Sequence, residues 1–84
     1  MYKNRLQQIR EGISVKLYNR DEPPLTQEKL AKVCKVSRQT IWSIEAEKSM
    51  PSYPVAIKIY AYLKKFEPKI KPEEAMGKVV SLFR

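Results

Sequence analysis

Residues 25–45 read Leu25-Thr-Gln-Glu-Lys-Leu-Ala-Lys-Val-Cys-Lys-Val-Ser-Arg-Gln-Thr-Ile-Trp-Ser-Ile-Glu45. The stretch divides into two short helices and a tight turn. Thr26 stands where an N-cap belongs, its hydroxyl able to accept a first-turn N–H, and Glu28 adds a favourable acidic charge there. The first of these helices runs to about Cys34, Lys35-Val36 forms the turn, and Ser37 caps a second helix from Arg38 to about Ala46. Leu30, Cys34, Val36, Ile41 and Ile44 form the inward face, and Ala31 is small where the two helices cross. The outward face of the second helix carries Arg38, Gln39, Trp42, Ser43 and part of Thr40. Gln pairs bidentately with adenine and Arg with guanine, so this face suits a helix laid in the DNA major groove.

The flanking sequence reads as further helix. Tyr2, Leu6, Ile9, Ile13 and Leu17 follow one another at helical spacing, so a helix is expected from about Tyr2 to Asn19, with Gly12 as a weak point. Pro23-Pro24 stops it, and Asp21-Glu-Pro-Pro24 reads as an extended connector. Glu47–Pro54 is a loop. The next helix begins near Ser52 or Tyr53 with Pro54 in its first turn. Val55, Ile57, Ile59, Tyr60, Tyr62 and Leu63 make it apolar on most sides and so central. After the break Glu67–Pro72, a short fifth helix opens at Pro72. Lys78–Arg84 either extends it or forms a strand, its β-branched and aromatic content favouring the strand.

Composition narrows the function classes. The 84 residues make one small domain, 1–84, with a net charge of +8 from 17 basic and 9 acidic residues. The excess is spread along the chain, +2 over 1–24, +2 over 25–50 and +4 over 51–84. It suits a polyanionic partner. A lone cysteine, Cys34, excludes an internal disulfide and points to a reducing compartment. With no histidine, no Gly-rich phosphate loop and no carboxylate cluster beyond Glu73-Glu74, neither catalytic residues nor a metal site nor a cofactor is expected. Met1-Tyr-Lys-Asn-Arg5 lacks a following apolar run, so no signal peptide is expected, and no stretch approaches a membrane span.

The residues Leu25-Thr-Gln-Glu-Lys-Leu-Ala31 and Val36-Ser-Arg-Gln-Thr-Ile-Trp-Ser-Ile-Glu45 resemble the lambda-repressor/Cro-like helix-turn-helix family, also called the XRE family. The likeness extends over Arg5–Arg10, Pro51-Ser and Val55–Ala61. It implies an all-α, five-helix lambda-repressor-like DNA-binding domain. Here the helix 1 region is extended and a short strand is an option at the C-terminus. The helix-turn-helix occupies 26–46, and the tail 77–84 is a candidate dimer element.

By the same resemblance, Gln27 would touch a phosphate. Gln39 and Ser43 would face base edges beside Arg38, Ser37 and Thr40, while Trp42 and Lys48 would meet the sugar-phosphate backbone. Glu45 would pair with an arginine of helix 1, with Arg10 the choice and Arg20 the rival. The implied protein is a sequence-specific double-stranded DNA-binding transcriptional regulator. It would be a repressor acting as a homodimer in the cytoplasm of a prokaryote, or encoded by its virus or plasmid. The alternative is an adaptor or antitoxin-type protein that uses the fold to bind a protein partner.

Three departures stand out. The approach from Arg10 to Leu25 is longer than the usual short link, so either helix 1 is longer or a second helix intervenes. Lys35 replaces the glycine usual in the turn. The segment Lys78–Phe83 has no counterpart in the family pattern. Among residues that invite other readings, Cys34 reads as a small core residue and Tyr53, Tyr60 and Tyr62 as core or interface. Lys64, Lys65, Lys69 and Lys71 read as a solvated face.

Overall fold

Helical periodicity and capping shape the chain from its first turn. The computed structural model describes residues 3–72, 75 and 77. Among these residues it contains four helices and no strand: α1 (Leu6–Tyr18), α2 (Gln27–Cys34), α3 (Arg38–Glu45) and α4 (Tyr53–Lys64). Thr26 and Ser37 cap α2 and α3, their side chains accepting the N–H groups of Lys29 and Thr40. Helix α1 begins later than the periodicity suggests, at Leu6, and ends at Tyr18 with Asn19 as its C-cap. The long approach to Leu25 is therefore a longer first helix, with no second helix between.

The apolar faces meet in one cluster. Leu6, Ile13 and Leu17 of α1, Leu30, Ala31 and Cys34 of α2, Ile41 and Ile44 of α3, and Ala56, Ile59 and Leu63 of α4 are all buried. Leu25, Ile70 and Ala75 close the cluster from outside these four helices. Helix α2 packs against α3 and α4, and α1 against α3. The chain after α4 folds back on this core. Tyr60 donates its hydroxyl to the Ile70 carbonyl at 3.0 Å, and Lys16 pairs with Glu67 at 2.7 Å.

Two expectations are corrected. Ile57 is 40% exposed, so of the six apolar residues expected to pack on α4 it alone lies outside the core, while Ile59 and Leu63 are buried and Val55, Tyr60 and Tyr62 pack against the core half-buried. Asp21 is not extended. It takes a left-handed conformation at φ 57°, and Glu22 N–H returns to the Leu17 carbonyl at 2.9 Å. Of the expected fifth helix, only Pro72, Ala75 and Gly77 fall among the described residues, and the strand or dimer element at 78–84 lies outside them.

The first three helices close in the same way. After α2, Val36 N–H bonds to the Ala31 carbonyl at 3.0 Å and Lys35 N–H to that of Lys32 at 3.2 Å. This is the Schellman arrangement, which needs a left-handed residue at its pivot. Lys35 is that residue, at φ 58° and ψ 42°. Asp21 does the same after α1 and Glu47, at φ 62°, after α3. Left-handed backbone is easiest for glycine, yet all three pivots carry side chains.

Residues remote in sequence fix the position of α3. The Glu45 side chain is 2% exposed and that of Arg10 13%. Arg10 donates Nε–H to Glu45 Oε2 at 2.6 Å and Nη2–H to Oε1 at 3.2 Å. Its Nη1 donates to the Leu25 carbonyl at 3.0 Å, and Gln27 Nε2 donates to Glu45 Oε1 at 2.8 Å. Asn4 adds a second tie. It accepts Leu6 N–H at 2.8 Å, donates its amide to the Ile44 carbonyl at 2.8 Å, and donates its backbone N–H to Glu47 at 2.9 Å. Ser14 holds the connector, its hydroxyl accepting Leu25 N–H at 3.0 Å.

Lys35→Gly and Gly12→Ala are expected to stabilise the fold for opposite reasons. Lysine in the left-handed pivot costs roughly 1 kcal/mol that glycine avoids. Gly12 sits mid-helix with nothing within 4 Å of an added Cβ, so alanine is worth about 1 kcal/mol. Each change should raise the midpoint of thermal unfolding by about 4–8 °C. An unchanged or lower melting temperature for either counts against its argument.

Arg10→Met should lower stability in urea unfolding by about 3–5 kcal/mol, because it strands a buried carboxylate. Arg10→Met with Glu45→Met should cost less than Arg10→Met alone. Strictly additive effects would show that the two groups do not act as a pair.

Candidate nucleic-acid interface

Helix α3 has two unlike faces. Ile41, Ile44 and Glu45 are buried. Arg38, Gln39 and Trp42 are exposed, and Thr40 and Ser43 are half-buried. The side chains of Arg38 and Gln39 make no hydrogen bond to other described residues, which leaves five guanidinium N–H donors and a two-way amide facing outward. Ser37 Oγ accepts Thr40 N–H at 3.1 Å and lies 2.9 Å from Thr40 Oγ1. Those two hydroxyls thus hold the start of the helix and each other.

The turn after α3 brings a cation to this face. Lys48 N–H bonds back to the Ser43 carbonyl at 2.9 Å. That closure places Lys48 Nζ 5.2 Å from the centroid of the Trp42 ring, within cation–π range. Trp42 is 40% exposed, so its place is outside the core. It lines an open depression together with Arg38 and Gln39.

Gln27 opens α2 beside α3. It is half-buried, and one amide N–H goes to Glu45. Its second N–H and its oxygen remain for an outside partner. Arg10, not Arg20, meets Glu45. Arg20 lies exposed past the end of α1. Sequence reasoning did not single out Asn4 or Ser14. A polar residue two places ahead of the first apolar helical position was the one available signal for Asn4. Ser14 offered none, because its partner Leu25 lies across a loop.

Other chemistries find little support. Cys34 is fully buried. Burial pushes its thiol above the ordinary range, and the nearby Lys58 charge offsets this only in part, so thiolate chemistry is disfavoured. Among the described residues no group of three or more His, Cys, Asp or Glu is placed to hold a metal ion, and no helix is long and apolar enough to cross a membrane.

Residues 20–65 match a helix-turn-helix family model, HTH_3. The match covers more than half of the chain and contains α2, α3 and α4 in full. No match is found among curated proteins or solved structures. The family is one of DNA-binding regulatory domains. With two capped helices around a tight turn and a matching family model, the chain belongs to the lambda-repressor/Cro-like, or XRE, family of helix-turn-helix DNA-binding regulators.

Proposed function

We propose that the protein is a sequence-specific transcriptional repressor that binds its operator as a dimer, with α3 as the helix that reads bases. The observation that carries this is the outward face of α3. It holds Arg38 and Gln39 with unused donors and acceptors, on a helix whose last residue is anchored by the Glu45 network. A reading helix needs such an anchor, since base-edge hydrogen bonds tolerate little displacement.

In this reading Gln39 pairs with adenine or Arg38 with guanine, and Ser43 reaches a base edge further along the helix. Ser37 and Thr40 flank the entry of α3 and contact the nearby strand. Gln27 uses its free amide N–H on a phosphate, supported by the N-terminal amides of α2. Lys48 meets the backbone beside Trp42. The net charge of +8 favours association with DNA and makes it salt-sensitive. One reading helix covers few base pairs, so useful affinity calls for two copies on a two-fold site. Bound there, the dimer would block access to the promoter. The setting is the cytoplasm of a prokaryote, or of the host of a virus or plasmid.

A second reading is an adaptor or antitoxin-type protein that binds a protein partner. Val15 and Tyr18 favour it. They are 61% and 79% exposed on the lengthened part of α1.

Selection from a random duplex pool should recover a site with two-fold symmetry and half-sites about one helical turn apart. An asymmetric site would remove the dimer. On that site Gln39→Ala should reduce discrimination at one position by about 1–3 kcal/mol. Lys48→Ala should weaken all sites alike and lower the salt slope by about 1. If both variants bind DNA as the parent does, the adaptor reading replaces this one.

A further inference from the structure

The depression on α3 has a composition that hydrogen-bond readout does not explain. Its volume is about 390 Å³ and it is lined by Arg38, Gln39 and Trp42. These three lie at i, i+1 and i+4, so Trp42 stands one turn from both polar neighbours. Arg38 and Gln39 supply donors and an acceptor. Trp42 supplies mostly ring surface, and the Lys48 ammonium lies 5.2 Å from the centre of that ring. The ring is left 40% exposed beside the two polar side chains that line the same depression, so it can offer an apolar surface to whatever they bind.

The major groove offers one kind of apolar group on base edges. Guanine, adenine and cytosine present only donors and acceptors there, whereas thymine presents a C5-methyl. Cytosine methylated at C5 presents the same group. We propose that the Arg38–Gln39–Trp42 depression takes the methyl-bearing edge of a C5-methylated pyrimidine, with Trp42 as a specificity-determining wall. This rests on α3 being the reading helix. It assigns Trp42 to a base edge in place of the sugar-phosphate backbone.

The neighbours fit such a ligand. Thymine is paired to adenine, which Gln39 reads at N6 and N7, so one base pair can satisfy both Gln39 and Trp42. Arg38 pairing with an adjacent guanine closes the depression on its other side. The depression is open to solvent on its outer side, so the edge of a base can approach all three side chains from the groove. Loss of one buried methyl contact weakens binding about fourfold.

The test uses the full chain and the duplex recovered by selection. Each thymine is replaced in turn by deoxyuridine, which removes the methyl and leaves pairing and phosphates intact. Each cytosine is replaced in turn by 5-methylcytosine. Affinities are read by fluorescence anisotropy at fixed salt for the parent, Trp42→Ala and Trp42→Phe, after circular dichroism confirms that the variants are helical.

The expected result is one thymine per half-site whose deoxyuridine form binds the parent about fourfold more weakly. That penalty should persist in Trp42→Phe and vanish in Trp42→Ala. A gain of similar size at one 5-methylcytosine, equally dependent on Trp42, would support the proposal and assign the methyl to that base. The proposal is overturned if no methyl change alters parent binding beyond twofold, or if the penalty survives in Trp42→Ala. Specific binding that ignores the methyl overturns this inference alone, while failure to bind any duplex overturns the DNA-reading assignment with it.

Discussion

The Glu45 carboxylate is the constraint around which the rest of the fold is arranged. It belongs to α3, yet its side chain is 2% exposed and must be compensated by charge and hydrogen bonds. Arg10 of α1 and Gln27 of α2 supply three donors, and Arg10 also satisfies the Leu25 carbonyl in the connector. Four parts of the chain therefore share one buried polar centre. A shift of α3 along or about its axis would break several of these bonds together, which makes the position of the helix nearly all-or-none. Buried ion pairs are poor sources of net stability, because desolvation offsets most of their attraction. Their use here is to set register between helices that apolar packing alone would hold less strictly.

That register extends to the ends of α3. Asn4 adds its amide to the Ile44 carbonyl, which also accepts Glu47 N–H at 3.0 Å in the closing turn, and donates its own N–H to the Glu47 carboxylate. Glu47 in turn occupies a left-handed pivot. Glycine there would relieve the backbone but lose the carboxylate that accepts Asn4 N–H. Lys35 has no comparable bond, so its strain has no visible compensation in the fold. The two pivots show how the same backbone penalty is balanced at one place and left standing at another.

Much of this was legible in the chain. The caps Thr26 and Ser37, the inward stripe Leu30–Cys34–Ile41–Ile44 and the outward Arg38–Gln39–Trp42 follow from helical periodicity and first-turn chemistry, and both operate within a few residues. What was not legible depends on groups far apart. Nothing near Ser14 announces that its hydroxyl will hold Leu25 N–H, and nothing near Asn4 announces Ile44. Ile57 misled because hydrophobicity states what a side chain prefers and not how many faces of a helix the neighbours can cover. In a chain of 84 residues the surface is large relative to the core, so some apolar side chains must stay outside. Arg10 against Arg20 was undecidable until the length of α1 was known. Arg10 lies within the helix, facing α3, whereas Arg20 falls beyond its end.

The outward face of α3 follows from the buried one by a similar division of labour. Arg38 and Gln39 are long and free to rotate, and ordering each on DNA costs about 0.5–1.5 kcal/mol. Trp42 has two side-chain torsions and sits against the Lys48 cation, so it loses less on binding. A surface built only of long polar side chains would adapt to many sequences and discriminate poorly among them. In the proposed reading a ring between them would limit which base edges can approach, because a polar edge facing it would forfeit hydrogen bonds to water without replacement. Discrimination would then arise as much from what the ring excludes as from what the amide and guanidinium accept. In that reading the exclusion would work only if the ring cannot retreat, and the Glu45 network, one turn along α3 from Trp42, fixes the helix that carries the ring.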